Sequence, residues 1–355
     1  MRPTLALRGA ASETPDNRDP DNPCGANSLG ASRYNEGQFD TACVHFARAA
    51  ALAPGVSVYA YNLGCALLLR GRHREAAFAF VSSLKGDVLL PEAHYWAWAA
   101  FKGLGKTSEV ITRLREALYR DPAQAHCEEI PERANLSATT LCTIDCKVPD
   151  LAVRSLRRSM AQCRFAAAKL FTSRPGTYDG IETIHIDDIA SIEDYSRFVM
   201  KDLSRYIDTP FTLVTQWDGY VINAGAWSDE FLAYDYIGAR WSDDIVKGTG
   251  YPAEYDVGNG GFSLRSDIFL GAGTDPQLSR THPEDKHMCL TYRPHLESAY
   301  GIRFADAAIA DRFSFEIDLP ETRPFGFHGS FNVCQFEPDP KWMRFEFLGP
   351  DALAG

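Results

Sequence analysis

The stretch TQWDGYVIN, Thr215–Asn223, places an Asp-Gly pair directly after a run of strand-forming residues. Upstream, Phe211, Leu213 and Val214 have the apolar, β-branched character of a buried strand. An aspartate so close has two readings. Asp-Gly is a common tight-turn pair; alternatively, a carboxylate is delivered to the end of a central strand, where α/β proteins bind their ligands. The surrounding segments supply the fold. TTLCTID (139–145), AAKLFTS (167–173) and GIETIHI (180–186) read as strands. LAVRSLRRSMAQC (151–163) and SIEDYSRFVMKDLSRY (191–206) read as amphipathic helices, the second with Ser191 as N-cap and Asp194 three residues on. With FTLVTQWDG (211–219) as the fourth strand, the order βαββαβ predicts an α/β sandwich with a mostly parallel sheet.

The first third has a different texture. Gly37, Gly71 and Gly105 are 34 residues apart, and so are Ala42, Ala76 and Val110. The same offset links Phe46, Phe80 and Leu114, then Ala49, Ser83 and Ala117, with Pro54 and Pro122 in phase. That is the period and pattern of tetratricopeptide repeats, in which small residues allow two helices to approach around a large apolar knob. Three repeats over 23–126 predict an α-helical solenoid, preceded by a disordered leader (1–22) and followed by a polar linker (127–138). The solenoid's inner face either holds a peptide or protein partner or buttresses the following domain. AFKGLGKT (100–107) mimics a phosphate-binding loop, but it follows the helical run HYWAWAAF rather than a strand, so it belongs to the third repeat.

Composition narrows the class. A net charge of −11 with pI near 5.3 argues against a nucleic-acid binder. No apolar run approaches the roughly 18 residues of a transmembrane helix. The nine cysteines are scattered without a CxxC pair, as in a reduced, cytoplasmic protein.

Four clusters beyond residue 210 could carry chemistry: Asp218, VGNGGFSLRS (257–266), HPEDKHM (282–288) and FGFHGSFN (325–332). Each has a plain structural alternative: a turn, a hairpin loop, acidic residues complementing a helix start, and a packed histidine. In order, QWDGYVIN…FLAYDYIGARW…VGNGGFSLRS…PED…FSFE…FGFHG resembles an uncharacterised bacterial family related to GT-A glycosyltransferases, with the domain over 139–345. The resemblance implies transfer of a sugar from a nucleotide-sugar donor to a glycan, lipid-linked or protein acceptor, assisted by Mn or Mg. Asp218 and His328 would hold that divalent metal, although Gln216 stands where the family's metal motif has its first acid. Thr143, Asp145, Ser173, Gln216 and Asp218 would face the nucleotide sugar, with Asp187 or Asp188 beside them. Asn259, Gly260 and Gly261 would form the acceptor loop. Asp285 would be the general base and Glu284 its orienting partner, both kept ionised by a helix N-terminus. Trp227, Tyr234, Tyr236 and Trp241 read either as a sugar-stacking wall or as packing. The competing reading is a non-catalytic scaffold with a degenerate transferase domain.

Overall fold

The computed structural model describes residues 5, 7–8, 22–86, 91–110, 112, 132–241, 246, 250–317 and 322–336. The chain divides into two compact units. Among the described residues, one unit lies within 118–330 and the other is built mainly on 3–117.

The helical unit contains α1 (Pro23–Asn35), α2 (Phe39–Leu52), α3 (Ser57–Leu69), α4 (His73–Gly86) and α5 (Pro91–Gly103), with short turns between the first four. The 34-residue spacing has a backbone cause. Gly37, Gly71 and Gly105 end the turns after α1, α3 and α5 in the left-handed region, at φ +75°, +69° and +67°, where a Cβ is disfavoured. A second column is steric. A Cβ on Gly30 would lie 2.6 Å from the Phe46 ring, and one on Gly64 would lie 2.7 Å from Phe80. Ala42, Ala76 and Val110 are buried. Leu114, Ala117 and Pro122 fall outside the described residues. The phosphate-loop mimic is a turn between helices, as its phase required. Of the stretch expected to be a disordered leader, Leu5, Leu7, Arg8 and Asn22 are among the described residues, and Leu5 and Arg8 hydrogen-bond to the helices.

In the α/β unit, β1 (Ala134–Ile144), β2 (Cys163–Thr172), β3 (Glu182–His185), β4 (Phe211–Thr215), β6 (Tyr236–Ile237) and β7 (Phe262–Ser266) form one sheet. Its order is β3-β2-β1-β4-β7-β6. The first four strands are parallel, whereas β7 runs antiparallel to both its neighbours. The expected mostly parallel sheet is therefore mixed at one side. β1 starts at Ala134, inside the stretch read as linker, and Leu136 is buried against Phe165 of β2. An irregularity between Leu136 and Thr140 interrupts the alternation there, and without that period the segment resembles a polar loop.

Side chains leave the sheet alternately. Leu141 and Leu213 pack with Leu156 of α6 (Pro149–Gln162), while Cys142 and Val214 pack with Phe198 of α7 (Ile192–Lys201). The helices thus cover the two faces, as period-two strands require. The Ser191–Asp194 capping box starts α7 as read; the helix ends at Lys201 and continues only as a 3-10 turn over Leu203–Tyr206. Beyond β7 come α8 (Asp267–Ala272), α9 (Glu284–Lys286), α10 (Arg293–Tyr300) and α11 (Ala307–Phe313). A small second sheet joins β5 (Tyr220–Val221), β9 (Gly326–Phe327) and β8 (Ser314–Phe315), in that order.

Candidate active site

β1 lies between β2 and β4, so the parallel strand order reverses direction beside it. In open α/β sheets the crevice at such a reversal, at the strands' carboxyl ends, is where ligands bind. Thr143 pairs with Thr215 across β1 and β4, which brings the segments after both strands to this crevice. Gln216, Trp217 and Asp218 turn there, and the Gly219 N–H donates to the Gln216 carbonyl at 3.1 Å. Asp218 is therefore in a turn and at a strand end at once. Ser155 of α6 donates to the Gly219 carbonyl at 2.5 Å and anchors the turn from below.

β5 then pairs antiparallel with β9, Tyr220 opposite Phe327. This register sets His328 beside the turn, because the next pair outward is Gly219 and His328. A Cβ at Gly219 would meet the Phe327 carbonyl at 2.8 Å, so the close approach needs glycine. His328 Nε2 lies 3.5 Å from Asp218 Oδ1 and 3.1 Å from Gln216 Oε1. Its Nδ1 lies 3.2 Å from Glu316 Oε1, at the end of β8. Burial alone would lower the histidine's pKa, yet the carboxylates of Asp218 and Glu316 raise it to about 10. Burial likewise works to raise Asp218, but His328 and the Ser330 hydroxyl hold it below the usual carboxylate range.

From Glu316 the network continues. Asn259 donates to Glu316 Oε2 at 2.8 Å and accepts the Gly261 N–H at 3.1 Å. The glycine loop is packed from both sides: a Cβ on Gly261 would lie 2.1 Å from His328 Nε2, and one on Gly260 would lie 2.5 Å from Glu284 Oε1. The Gly260 carbonyl accepts from Ser263 Oγ at 3.0 Å and from Arg265 at 3.3 Å. Arg265, only 2% exposed, also pairs with Glu284 at 3.2 Å. Asp285 stands next to Glu284, half-buried, accepting the Gly260 and Lys286 N–H groups.

Asp285 is pushed up to about 7, first by burial and then by the Glu284 charge. Burial and the Glu284 charge thus act against the helix N-terminus that was expected to keep it ionised at neutral pH. α9 has only three residues before the chain passes into a π turn, so few aligned peptide dipoles oppose desolvation.

Asp218, Asn259, Gly260, Gly261, Glu284, Asp285 and His328 thus join one network. Asp145 and Ser173 lie at the same sheet end, after β1 and β2. Asp145 accepts the Lys147 and Val148 N–H groups at 2.7 Å each, and Ser173 donates to Asp188 at 2.6 Å. Thr143 is placed below them, fully buried with its hydroxyl 2.6 Å from Thr215, so it braces the strand pair. The aromatics follow the packing alternative. Tyr236 and Trp241 are core residues. Trp227 packs on Phe231 and Phe325, and Tyr234 lies against the same core.

Arg265 and Glu316 were in the motif string without a role. A charge inside a short strand was the available signal for Arg265, since a buried guanidinium needs a counter-ion. The acid ending FSFE was the signal for Glu316.

The metal expected on Asp218 and His328 does not fit the donor set as it stands. Asp218 Oδ1 is buried without a hydrogen-bond donor, which would suit a cation. Both nitrogens of His328, however, face acceptor oxygens, as in an imidazolium with no lone pair to give. No three His, Cys, Asp or Glu side chains converge as a metal cage among the described residues.

A family profile described as "Protein of unknown function (DUF5672)" matches residues 180–328. That span contains every member of the network from Asp218 to His328. No curated protein matches the chain. Among solved structures, the MamA protein aligns at 21% identity and TM-score 0.26, over 32% of this chain and 63% of its own. A Thermobaculum terrenum O-GlcNAc transferase mutant aligns at 16% and 0.23, over 51% of this chain and 38% of its own. The galactosyltransferase LgtC, solved with donor and acceptor sugar analogs, aligns at 13% and 0.33, over 53% of this chain and 86% of its own. The chain therefore spans less than two thirds of the first two of these proteins.

Proposed function

We propose that the α/β unit is a glycosyltransferase that moves a sugar from a nucleotide-sugar donor to a hydroxyl acceptor with inversion at the anomeric carbon. The observation that carries this reading is the Glu284–Asp285 pair beside the Gly260 loop, with Asp285 raised to about 7 and Glu284 held by Arg265. A general base works best with a pKa near the operating pH. Asp285 takes the proton of the acceptor hydroxyl. The oxygen's electron pair forms the new bond to the anomeric carbon, while the bond to the diphosphate oxygen breaks and the diphosphate leaves with that pair. The proton on Asp285 then passes to solvent.

Glu284, fixed by Arg265, would orient the acceptor, and the backbone at Gly260 and Gly261 would let it approach closely. Asp145, Ser173 and Gln216 would meet the nucleotide side. His328, cationic between Asp218 and Glu316, would place positive charge near the leaving diphosphate. No step is routed through a metal.

The donor set that does not fit a metal favours a second reading, a degenerate transferase domain serving as scaffold. Incubation with a panel of nucleotide sugars, scored for release of the nucleoside diphosphate, separates the two. Turnover lost in Asp285→Asn with donor binding kept supports the transferase. Neither binding nor turnover of any donor supports the scaffold.

A further inference from the structure

Within the helical unit, a segment of the chain is seated across three helices. The Arg8 N–H donates to Asn62 Oδ1 at 3.0 Å, and Asn62 Nδ2 donates back to the Arg8 carbonyl at 3.0 Å. One side-chain amide on α3 thereby reads both backbone groups of a single residue, whatever its side chain. Asn62 is itself fixed: it is fully buried, and its Nδ2 also donates to the buried Asn27 Oδ1 of α1 at 2.9 Å. Three residues earlier, the Leu5 carbonyl accepts from the Tyr34 hydroxyl of α1 at 2.7 Å. The Arg8 guanidinium pairs with Glu92 Oε1 of α5. Glu92 Oε2 is buried without a hydrogen-bond partner, so the carboxylate can take a second guanidinium N–H.

These contacts have the form of a bound peptide rather than of packing. The backbone of Leu5–Arg8 is held at two points by side chains, and its one charged group is matched by an acid. A buried asparagine amide left without its partners is costly, so the position on α3 favours some backbone being there. We infer that the face formed by α1, α3 and α5 is a peptide site, selective for an arginine-bearing segment. In this chain it is filled in cis by Leu5–Arg8, and a partner segment with arginine at the same place must displace it. Fourteen residues, 9–22, separate Arg8 from the start of α1, so the segment and the site belong to one chain and a partner peptide competes with an intramolecular occupant.

The test uses the full chain and a labelled peptide with the sequence of residues 1–12, followed by fluorescence anisotropy. Arg8→Glu sets a carboxylate against Glu92 and should open the site, so that this variant binds the peptide at least tenfold more tightly than the unaltered chain. Arg8→Glu combined with Glu92→Lys restores a cis ion pair and repels the peptide arginine; binding should return to the unaltered level or below. A peptide N-methylated at its Arg8 nitrogen lacks the N–H that Asn62 accepts, and should bind the Arg8→Glu chain at least tenfold more weakly. That arm changes no protein residue, so misfolding cannot produce it. Arg8→Glu binding no more tightly than the unaltered chain, or equal binding of the methylated peptide, overturns the inference.

Discussion

Three neighbouring charges divide their work by environment. Arg265 fixes Glu284, and burial together with the Glu284 charge leaves Asp285 protonated below about pH 7. As a base, Asp285 must be ionised, so turnover should rise with pH through about 7 and level off above it. Asp285→Asn should lower kcat by about 10²–10⁴-fold while the donor's dissociation constant, read by calorimetry, stays within a few-fold. The same shift has a sign for stability. A carboxyl whose folded pKa lies above its unfolded value of about 3.9 withholds stability increasingly as pH rises from about 4 to 7. Asp285→Asn should therefore raise the melting temperature at pH 8 and leave it unchanged near pH 4; the reverse order would place the raised pKa elsewhere. Arg265 is the opposite case. Arg265→Ala strands the buried Glu284 charge and should cost about 3–5 kcal/mol in denaturant unfolding. Among these residues, the acids were legible because they stand at an element start. The arginine was hidden because its counter-ion, Glu284, lies nineteen residues away and is met only in the fold.

At the scale of elements, glycine does two different jobs, and only one leaves a trace in sequence. Gly37, Gly71 and Gly105 recur every 34 residues because each turn needs a left-handed backbone, and repetition made them visible. Gly219 and Gly261 occur once each and are dictated by what packs on them. Phe327 and His328 press on the first, and His328 on the second. A single sequence does not reveal a distant neighbour, so GNGG could equally have been a hairpin. Gly261→Ala would place a methyl 2.1 Å from His328 Nε2. Expelling His328 would break its contacts with Asp218 and Glu316, and turnover should fall at least about 10²-fold. By contrast, Gly64→Ala drives a methyl to 2.7 Å from Phe80 in the helical unit. It should cost about 1–3 kcal/mol of stability through overpacking, read as a lower melting temperature, and leave kcat unaltered. The strand starts were missed at β1 for a related reason: an irregular register removes the alternation by which a strand is recognised.

For the molecule as a whole, what could be read depended on whether a feature is periodic or assembled. The two textures, repeat and alternating strand–helix, separated the chain before any coordinate. The small β5-β9-β8 sheet was not legible, because two-residue strands have no period and β5 pairs with β9 about a hundred positions away. That pairing is what brings His328 to Asp218 and so completes the candidate site. Each site is nevertheless local to one unit. Every residue from Asp218 to His328 lies in 118–330, and Leu5, Asn27, Tyr34, Asn62 and Glu92 lie in 3–117. Sites that share no residue and act independently should be nearly additive in mutation. Arg8→Glu should leave the kcat for small acceptors and the pH midpoint near 7 unchanged, and Asp285→Asn should leave peptide affinity unchanged. The double variant, assayed for both, should show the product of the single effects. A departure beyond about twofold in either readout would mean that filling the peptide site and turning over the donor are energetically linked.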